Sequence, residues 1–468
     1  MNSKLITDDI SQNFTGTNFE VINPATALPF THLNSSTPEE IDAVIQQAKV
    51  AFTIWKDIDD TTIKTIFTNI AADIRANKDE IAKLITREQG KPLILAGIEV
   101  ELGAGWIEHL RDVEVPFETY EEANGKVIQV FNKPIGIVAS ITPWNWPFMI
   151  AIWHLFPALK TKNCIINKPS EYTPLSTIKL IEIMNRHLPS GVCGLILGQG
   201  DTGAYLTTHP AIGKVAFTGS TRTGQAILRN AVDTLKSTVL ELGGNDAAIV
   251  LEDADLDNVA EKIFVSAFLN MGQTCTAIKR LYVHENIYDQ LIEKLLTMAE
   301  AQVIGHGLEA DTTFGPVQNA VQYHKVKALI ADAIKRGATV LTANVTVPEN
   351  GYFIAPTIIS NLPIDTPLIH EGQFGPVLPV IKFSNVQEVI QQANASEFGL
   401  GGSVWSKDLE KAQAIAHQLE TGTVWINRHA EMSPNAAFCG WKMSGLGHAF
   451  GMSGLLQFTK KQAIHINP

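Results

Sequence analysis

The chain has 468 residues, 45% of them hydrophobic, enough to bury large cores and to divide into two or three domains. Its 36 basic and 48 acidic residues leave a net charge of −12 with no long like-charge block. That balance argues against nucleic acid or an anionic membrane as main partner, and for a small molecule. Four scattered cysteines, Cys164, Cys193, Cys275 and Cys439, lack CxxC spacing, so neither a metal site nor a disulfide framework is expected and each is read as a free thiol. Residues 1 to 20 contain no apolar leader core, and no apolar run is long enough to span a bilayer. A cytoplasmic location is the expectation.

The first clear element is "STPEEIDAVIQQAKVAFTIW". Thr37 offers a cap, Pro38 the first helical position and Glu40 the reciprocal capping-box acid, with Ile41, Val44, Ile45, Ala48 and Phe52 on one face. The stretch "KVIQVFNKP" at 126 to 134 alternates like an edge strand. From about 135, short apolar runs alternate with helical stretches: "IGIVASI", "NCIINKP", "GLIL", "KVAFTG", "STVLELGG" and "AAIVL". Several lack polar alternation, as strands covered on both faces do, which predicts an α/β fold with largely parallel sheets. A second βα series follows 245 and includes "TVWIN" at 423 to 427. The tail "FTKKQAIHI" at 458 to 466 reads as another edge strand.

Two glycine clusters are candidate dinucleotide sites. "GQGDTG" at 198 to 203 matches GxGxxG but lacks an acidic partner about twenty residues on, and it reads better as a tight turn opening a surface helix. Gly219, Ser220 and Gly224 of "GSTRTG" follow the strand "KVAF" and open a helix, where free N–H groups and the helix dipole suit a pyrophosphate.

"NMGQTCTAIKR" sets Cys275 between two threonines. A lone cysteine is either a small buried hydrophobe or a nucleophile. Its company favours the second reading. Glu241 ends a strand before two glycines in "LELGGND", and Asn145 stands between two tryptophans in "TPWNWPF". A thiol, a carboxylate base and an amide donor are the parts needed to form and hydrolyse a thioester. Taken singly, Asn145 could instead cap the helix near Pro147, Glu241 could pair with a lysine, and Lys168 could be a solvated strand-end charge.

Taken together, "TPWNWP", "NKPSEYTP", "FTGSTRTG", "LELGGND", "GQTC", "FGPV" and "MSGLG" occur in an order that resembles the NAD(P)-dependent aldehyde dehydrogenase superfamily, from about residue 20 to 463. The resemblance implies Cys275 as nucleophile, Glu241 as general base and Asn145 as oxyanion donor. It implies cofactor binding by Trp144, Lys168, Glu171, Gly219, Ser220, Gly224 and Phe374. It implies a Rossmann-type dinucleotide-binding domain from 1 to 115 and 135 to 243, and an α/β catalytic domain from 244 to 443. A small β bridging element from 116 to 134 and from 444 on would join subunits into a homodimer or homotetramer.

The implied reaction is oxidation of an aldehyde to a carboxylic acid through a cysteine thiohemiacetal and thioester. NAD is favoured over NADP, because the Glu171 carboxylate suits two ribose hydroxyls and repels a phosphate. A low-turnover dinucleotide-binding protein and a CoA-acylating aldehyde dehydrogenase stay open as other readings. The implied substrate pocket takes Trp146, Met149 and Trp153 from the helix after Asn145, Thr274 and Thr276 beside the nucleophile, and Arg428, His429 and Phe438 from a later loop. Its aromatic residues suit an apolar aldehyde, while Arg428 and His429 would suit a carboxylated one. Two departures stand out: Gly372 and Ala449 occupy positions that are usually acidic. Gly372 is expected to leave the nicotinamide ribose loosely held, and Gly372→Glu to tighten cofactor binding.

Overall fold

The computed structural model describes residues 14 to 467; the leader reading of residues 1 to 13 lies outside them. Among the described residues, no helix is long and apolar enough to cross a membrane. The helix Pro38–Trp55 opens with the capping box read from the sequence: Thr37 Oγ1 accepts from Glu40 N at 3.3 Å, and the Glu40 carboxylate accepts from Thr37 N at 2.8 Å. Its buried residues Ile41, Ile45, Ala48 and Trp55 lie on the predicted face.

Five of the short apolar runs form a parallel sheet, as their lack of alternation predicts. Its order is Ser237–Glu241, Ile212–Thr218, Ile137–Ile141, Cys164–Lys168, Cys193–Leu195. Ile137–Ile141 is first in the chain yet central in the sheet. The chain winds outward on one side and then on the other, so a crevice opens where the direction reverses, beyond the C-terminal ends of Ile137–Ile141 and Ile212–Thr218. The helices Asp60–Ala76, Lys78–Gln89 and Leu93–Asp112 share one apolar core with this sheet, running from Phe14 to Leu242 and taking in Phe458.

The second sheet has seven strands, in the order Thr339–Thr342, Thr357–Ser360, Val377–Phe383, Ile278–His284, Asp246–Val250, Gly401–Trp405, Thr423–Ile426. Only the pairing of Thr339–Thr342 is antiparallel. Both anticipated strands are present, but only Thr459–Ile466 is an edge; Val127–Pro134, expected at an edge, is the central strand of its sheet because it has partners on both sides. Val127–Pro134 pairs antiparallel with Glu118–Glu121 on one side and Thr459–Ile466 on the other, making a three-stranded sheet apart from the two large ones. The segment from 444, read as one bridging piece, divides. Gly445–Leu446 adds an antiparallel edge strand beside Leu240 and Glu241, and only Thr459–Ile466 joins the small sheet.

Candidate active site

Four adjacent strands of the first sheet each bring candidate residues to their C-terminal ends. Trp144 and Asn145 follow Ile137–Ile141, Lys168 ends Cys164–Lys168, Gly219 and Ser220 follow Ile212–Thr218, and Glu241 ends Ser237–Glu241. The side chains gather because parallel strands carry their following loops to one edge.

Cys275 enters from the second sheet, just before Ile278–His284, on a turn of unusual backbone. Asn270, Met271 and Gly272 have φ of 52°, 55° and 70°. A Cβ on Gly272 would lie 2.3 Å from Gly375 O, so glycine is required there. Buried Gln273 pins the turn, its Nε2 donating to Asn270 O at 3.1 Å and its Oε1 accepting from Gln318 N at 2.8 Å.

Asn145 is built into the same turn. Its Nδ2 donates to Gln273 O at 2.9 Å, while its carbonyl accepts from Lys91 Nζ at 3.0 Å and Asn270 Nδ2 at 2.8 Å. An amide nitrogen has two hydrogens, so one remains for a ligand. Asn145 does not cap the helix Pro147–Lys160. Glu99, reaching in from Leu93–Asp112, accepts from Phe148 N and Met149 N at 3.1 Å each, and its other oxygen holds Lys91 Nζ at 2.6 Å. The carboxylate satisfies the first free N–H groups of the helix and faces its dipole.

Glu241 has no lysine partner: both carboxylate oxygens are buried without a hydrogen bond, and burial holds its pKa well above the usual carboxylate range. Cys275 is half-buried, and burial pushes its thiol up to about 11. The two share a narrow pocket whose walls include Trp153, Phe438, Phe450, Ile150 and His154. Cys164 and Cys193 are buried, with both thiols pushed up to about 12 by burial, as packing residues in the apolar core. Lys168 is also buried rather than solvated.

Of the eight residues expected around the substrate, Trp153 and Phe438 line this pocket. Trp146 Nε1 donates to Thr274 Oγ1 at 3.0 Å, bracing the two loops against each other. Met149 stands half-buried on the helix, outside the pocket lining. Thr276 is buried, and its carbonyl lies 2.8 Å from His429 Nε2. The structure does not bring Arg428 or His429 to the pocket. Arg428 is exposed and paired with Glu431 at 2.7 Å, while the second nitrogen of the buried His429 ring meets Ser403 Oγ at 2.9 Å. Both side chains are engaged by other protein groups, which leaves no carboxylate anchor from them in this pocket.

The sequence reading passed over His154 and Phe450. His154 lies between Ser140 Oγ at 3.1 Å and Thr218 Oγ1 at 2.9 Å, and burial pushes it down to about 3, so it is neutral. Its signal was helical spacing, since Ile150, Trp153, His154 and Pro157 fall on one face and line the pocket together. Phe450 follows Ala449, whose backbone N–H and C=O bond those of Phe438 at 2.7 Å each.

Toward the crevice, the Trp144 and Phe374 rings meet edge to face, 5.4 Å between centroids. Exposed Ser220 caps the helix Thr221–Ala231, accepting from Thr223 N at 3.2 Å, and buried Gly224 lets that helix close onto Leu242. Lys168 Nζ lies 3.9 Å from the Glu171 carboxylate. Gly372 has φ +63°, and a Cβ there would lie 3.0 Å from Gly244 O. A side chain there would be strained, so the glutamate expected to tighten cofactor binding would carry a backbone cost. "GQGDTG" opens the helix Gly200–Thr208, as a turn.

Comparison with known proteins agrees with this geometry. A sequence model of the aldehyde dehydrogenase family matches residues 11–464. The chain is 36% identical to a phenylacetaldehyde dehydrogenase of Pseudomonas fluorescens, over 95% of this chain and 92% of that enzyme. It superposes on the crystal structure of an NADP-dependent enzyme of E. coli with TM-score 0.94 and 34% identity, covering 97% of this chain and 95% of that one. It superposes equally on the NAD+ complex of a Bacillus cereus aldehyde dehydrogenase, with TM-score 0.94 and 32% identity over 96% of this chain and 93% of that one. With its motifs, its two sheets and its superpositions in agreement, the chain belongs to the aldehyde dehydrogenase family.

Proposed function

We propose that this protein oxidises an apolar, aromatic-type aldehyde to its carboxylic acid with NAD, through a thioester on Cys275. The observation that carries the reading is a pocket shared by Cys275 and a buried, unpartnered Glu241 carboxylate, with Trp153, Phe438 and Phe450 as its aromatic walls. A carboxylate left without a hydrogen bond in an apolar site is costly unless chemistry uses it.

A nicotinamide dinucleotide fits the crevice beside this pocket. The exposed N-terminus of Thr221–Ala231 suits its phosphates, Glu171 and Lys168 suit the adenosine ribose, and Trp144 and Phe374 flank the approach to Cys275. When bound, it supplies the hydride acceptor. Relatives of this fold include one described as NADP-dependent and one solved with NAD+. The Glu171 carboxylate favours NAD, because the 2′-phosphate of NADP would meet like charge.

The residues divide the remaining work. The Cys275 thiol gives its proton to water, its sulfur bonds to the carbonyl carbon as the C=O π pair moves onto oxygen, and the free Asn145 N–H with the Cys275 backbone N–H meets that oxyanion. After oxidation the carbon is a thioester. Glu241 takes a proton from water as the water oxygen bonds to that carbon, and the acid leaves as the Cys275 thiol re-forms. The apolar walls keep other water out.

We further assign residues up to 115 and 135–243 to the dinucleotide domain, and 244–443 to the catalytic domain. The small sheet, with Thr459–Ile466 mostly exposed, is assigned to pairing of subunits. Purified protein with NAD and phenylacetaldehyde, without CoA, tests the function. NADH and phenylacetic acid in equal amounts are expected; a requirement for CoA, or no NADH across aromatic and aliphatic aldehydes, overturns it.

A further inference from the structure

The carbonyls of residues 273 to 277 are all engaged by side chains, and this is not a feature that a loop needs merely to exist. Asn145 takes Gln273 O. Lys279 Nζ donates to Thr274 O at 3.1 Å, Cys275 O at 2.6 Å and Ala277 O at 3.3 Å. His429 Nε2 lies 2.8 Å from Thr276 O. An ammonium has three donors, and each meets one carbonyl. A neutral amine has only two.

Beneath the same turn lies Asp246. Its side chain is fully buried, and neither oxygen has a hydrogen-bond partner. His429 Nε2 stands 3.6 Å from Oδ2, beyond ordinary hydrogen-bond reach. Space for the carboxylate is left by two glycines, since a Cβ on Gly244 would press to 2.6 Å of Oδ1 and one on Gly401 to 2.3 Å of Oδ2. Burial lowers the Lys279 pKa and the Asp246 charge raises it in return, so this carboxylate favours the ammonium form without meeting it in a hydrogen bond.

We infer that Lys279 is a positioning residue for Cys275: its ammonium, favoured by the Asp246 carboxylate, clamps the carbonyls around the nucleophile and holds a positive charge beside Cys275. The inference rests on Cys275 as the reacting thiol. It also gives His429 a place, as the second arm of the clamp.

The charged groups that act on the thiol are Lys279, Asp246 and Glu241, those that act on Lys279 are Asp246 and Arg280 besides the thiol itself, and the titratable His429 stands 3.6 Å from Asp246. Burial raises the thiol most, the Lys279 charge pulls it back, and Asp246 and Glu241 raise it further. Removing the cation therefore disfavours the thiolate. Removing Asp246 while Lys279 stays clamped by three carbonyls favours it.

The test is the pH dependence of Cys275 alkylation by iodoacetamide, read by peptide mass without cofactor or aldehyde, with thermal melting as the control for folding. Lys279→Gln is expected to move the profile to higher pH by a unit or more, about tenfold slower alkylation at any pH on the rising limb. Asp246→Asn is expected to move it to lower pH. Superimposable profiles, or shifts in the same direction, overturn the inference. Should Lys279→Gln fail to fold, Asp246→Asn decides alone, and an unmoved or upward profile counts against it. Alkylation requires no turnover, so this outcome is separate from whether Cys275→Ala abolishes oxidation.

Discussion

The rings of Trp153 and Phe450 meet edge to face with 4.7 Å between centroids, joining the helix after Asn145 to a loop near the end of the chain. Phe450 also contacts Trp106 at 4.8 Å and Phe438 at 5.7 Å, so it is the hub of the pocket's aromatic wall. Phe450→Ala should raise KM for phenylacetaldehyde about tenfold, roughly 1.4 kcal/mol of lost binding, and leave propanal nearly unaffected. An unchanged preference between the two aldehydes would show that the wall does not select the substrate.

Glu241 gives a pH prediction with a definite sign. Burial raises its pKa well above the usual value, so the carboxylate ionises only as pH climbs past the ordinary carboxylate range. A general base must be ionised. Steady-state oxidation should therefore rise with pH through an inflection displaced upward from that range. Glu241→Gln should lose that inflection and give a burst of NADH followed by turnover on the order of 100-fold slower or more. Equal slowing of burst and steady state would make Glu241 a structural residue.

At the other end of the crevice, Glu171→Ser removes the carboxylate 3.9 Å from Lys168 Nζ. The ammonium is then free to meet a phosphate. The kcat/KM ratio of NAD over NADP should fall at least tenfold, about 1.4 kcal/mol. A ratio that stays put would place ribose discrimination elsewhere.

The proposed site could be read from the sequence because its residues sit in short motifs at strand ends, where unalternating apolar runs stop near Asn145, Lys168, Ser220 and Glu241. The capping box at Thr37 was legible for the same local reason. Of the pocket wall, Trp153 and Phe438 were anticipated and Phe450 was not, since it meets Trp153 only through the tertiary fold. His429 was misplaced because sequence order says nothing of which way a loop turns its ring; here the ring goes under Thr276. Lys279 carries no local signal, as a lysine before an arginine reads as ordinary surface charge.

At Gly372 the resemblance speaks of a missing side chain, while the structure adds a backbone conformation that a side chain would strain. With φ +63° and Gly244 O 3.0 Å from any Cβ, Gly372→Glu should cost about 1–3 kcal/mol of stability and lower the melting temperature. Calorimetry should find no gain in NAD affinity. A variant that melts like wild type and binds NAD more tightly would show that the backbone tolerates the change.

The central claim, that Cys275 carries the reaction, is tested most directly by the NADH formed from NAD and phenylacetaldehyde by Cys275→Ala, with Cys164→Ser as a control for loss of an unrelated buried thiol. Oxidation should vanish in Cys275→Ala while calorimetric NAD binding stays close to wild type, and Cys164→Ser should lose at most stability. Wild-type oxidation rates in Cys275→Ala would contradict the mechanism.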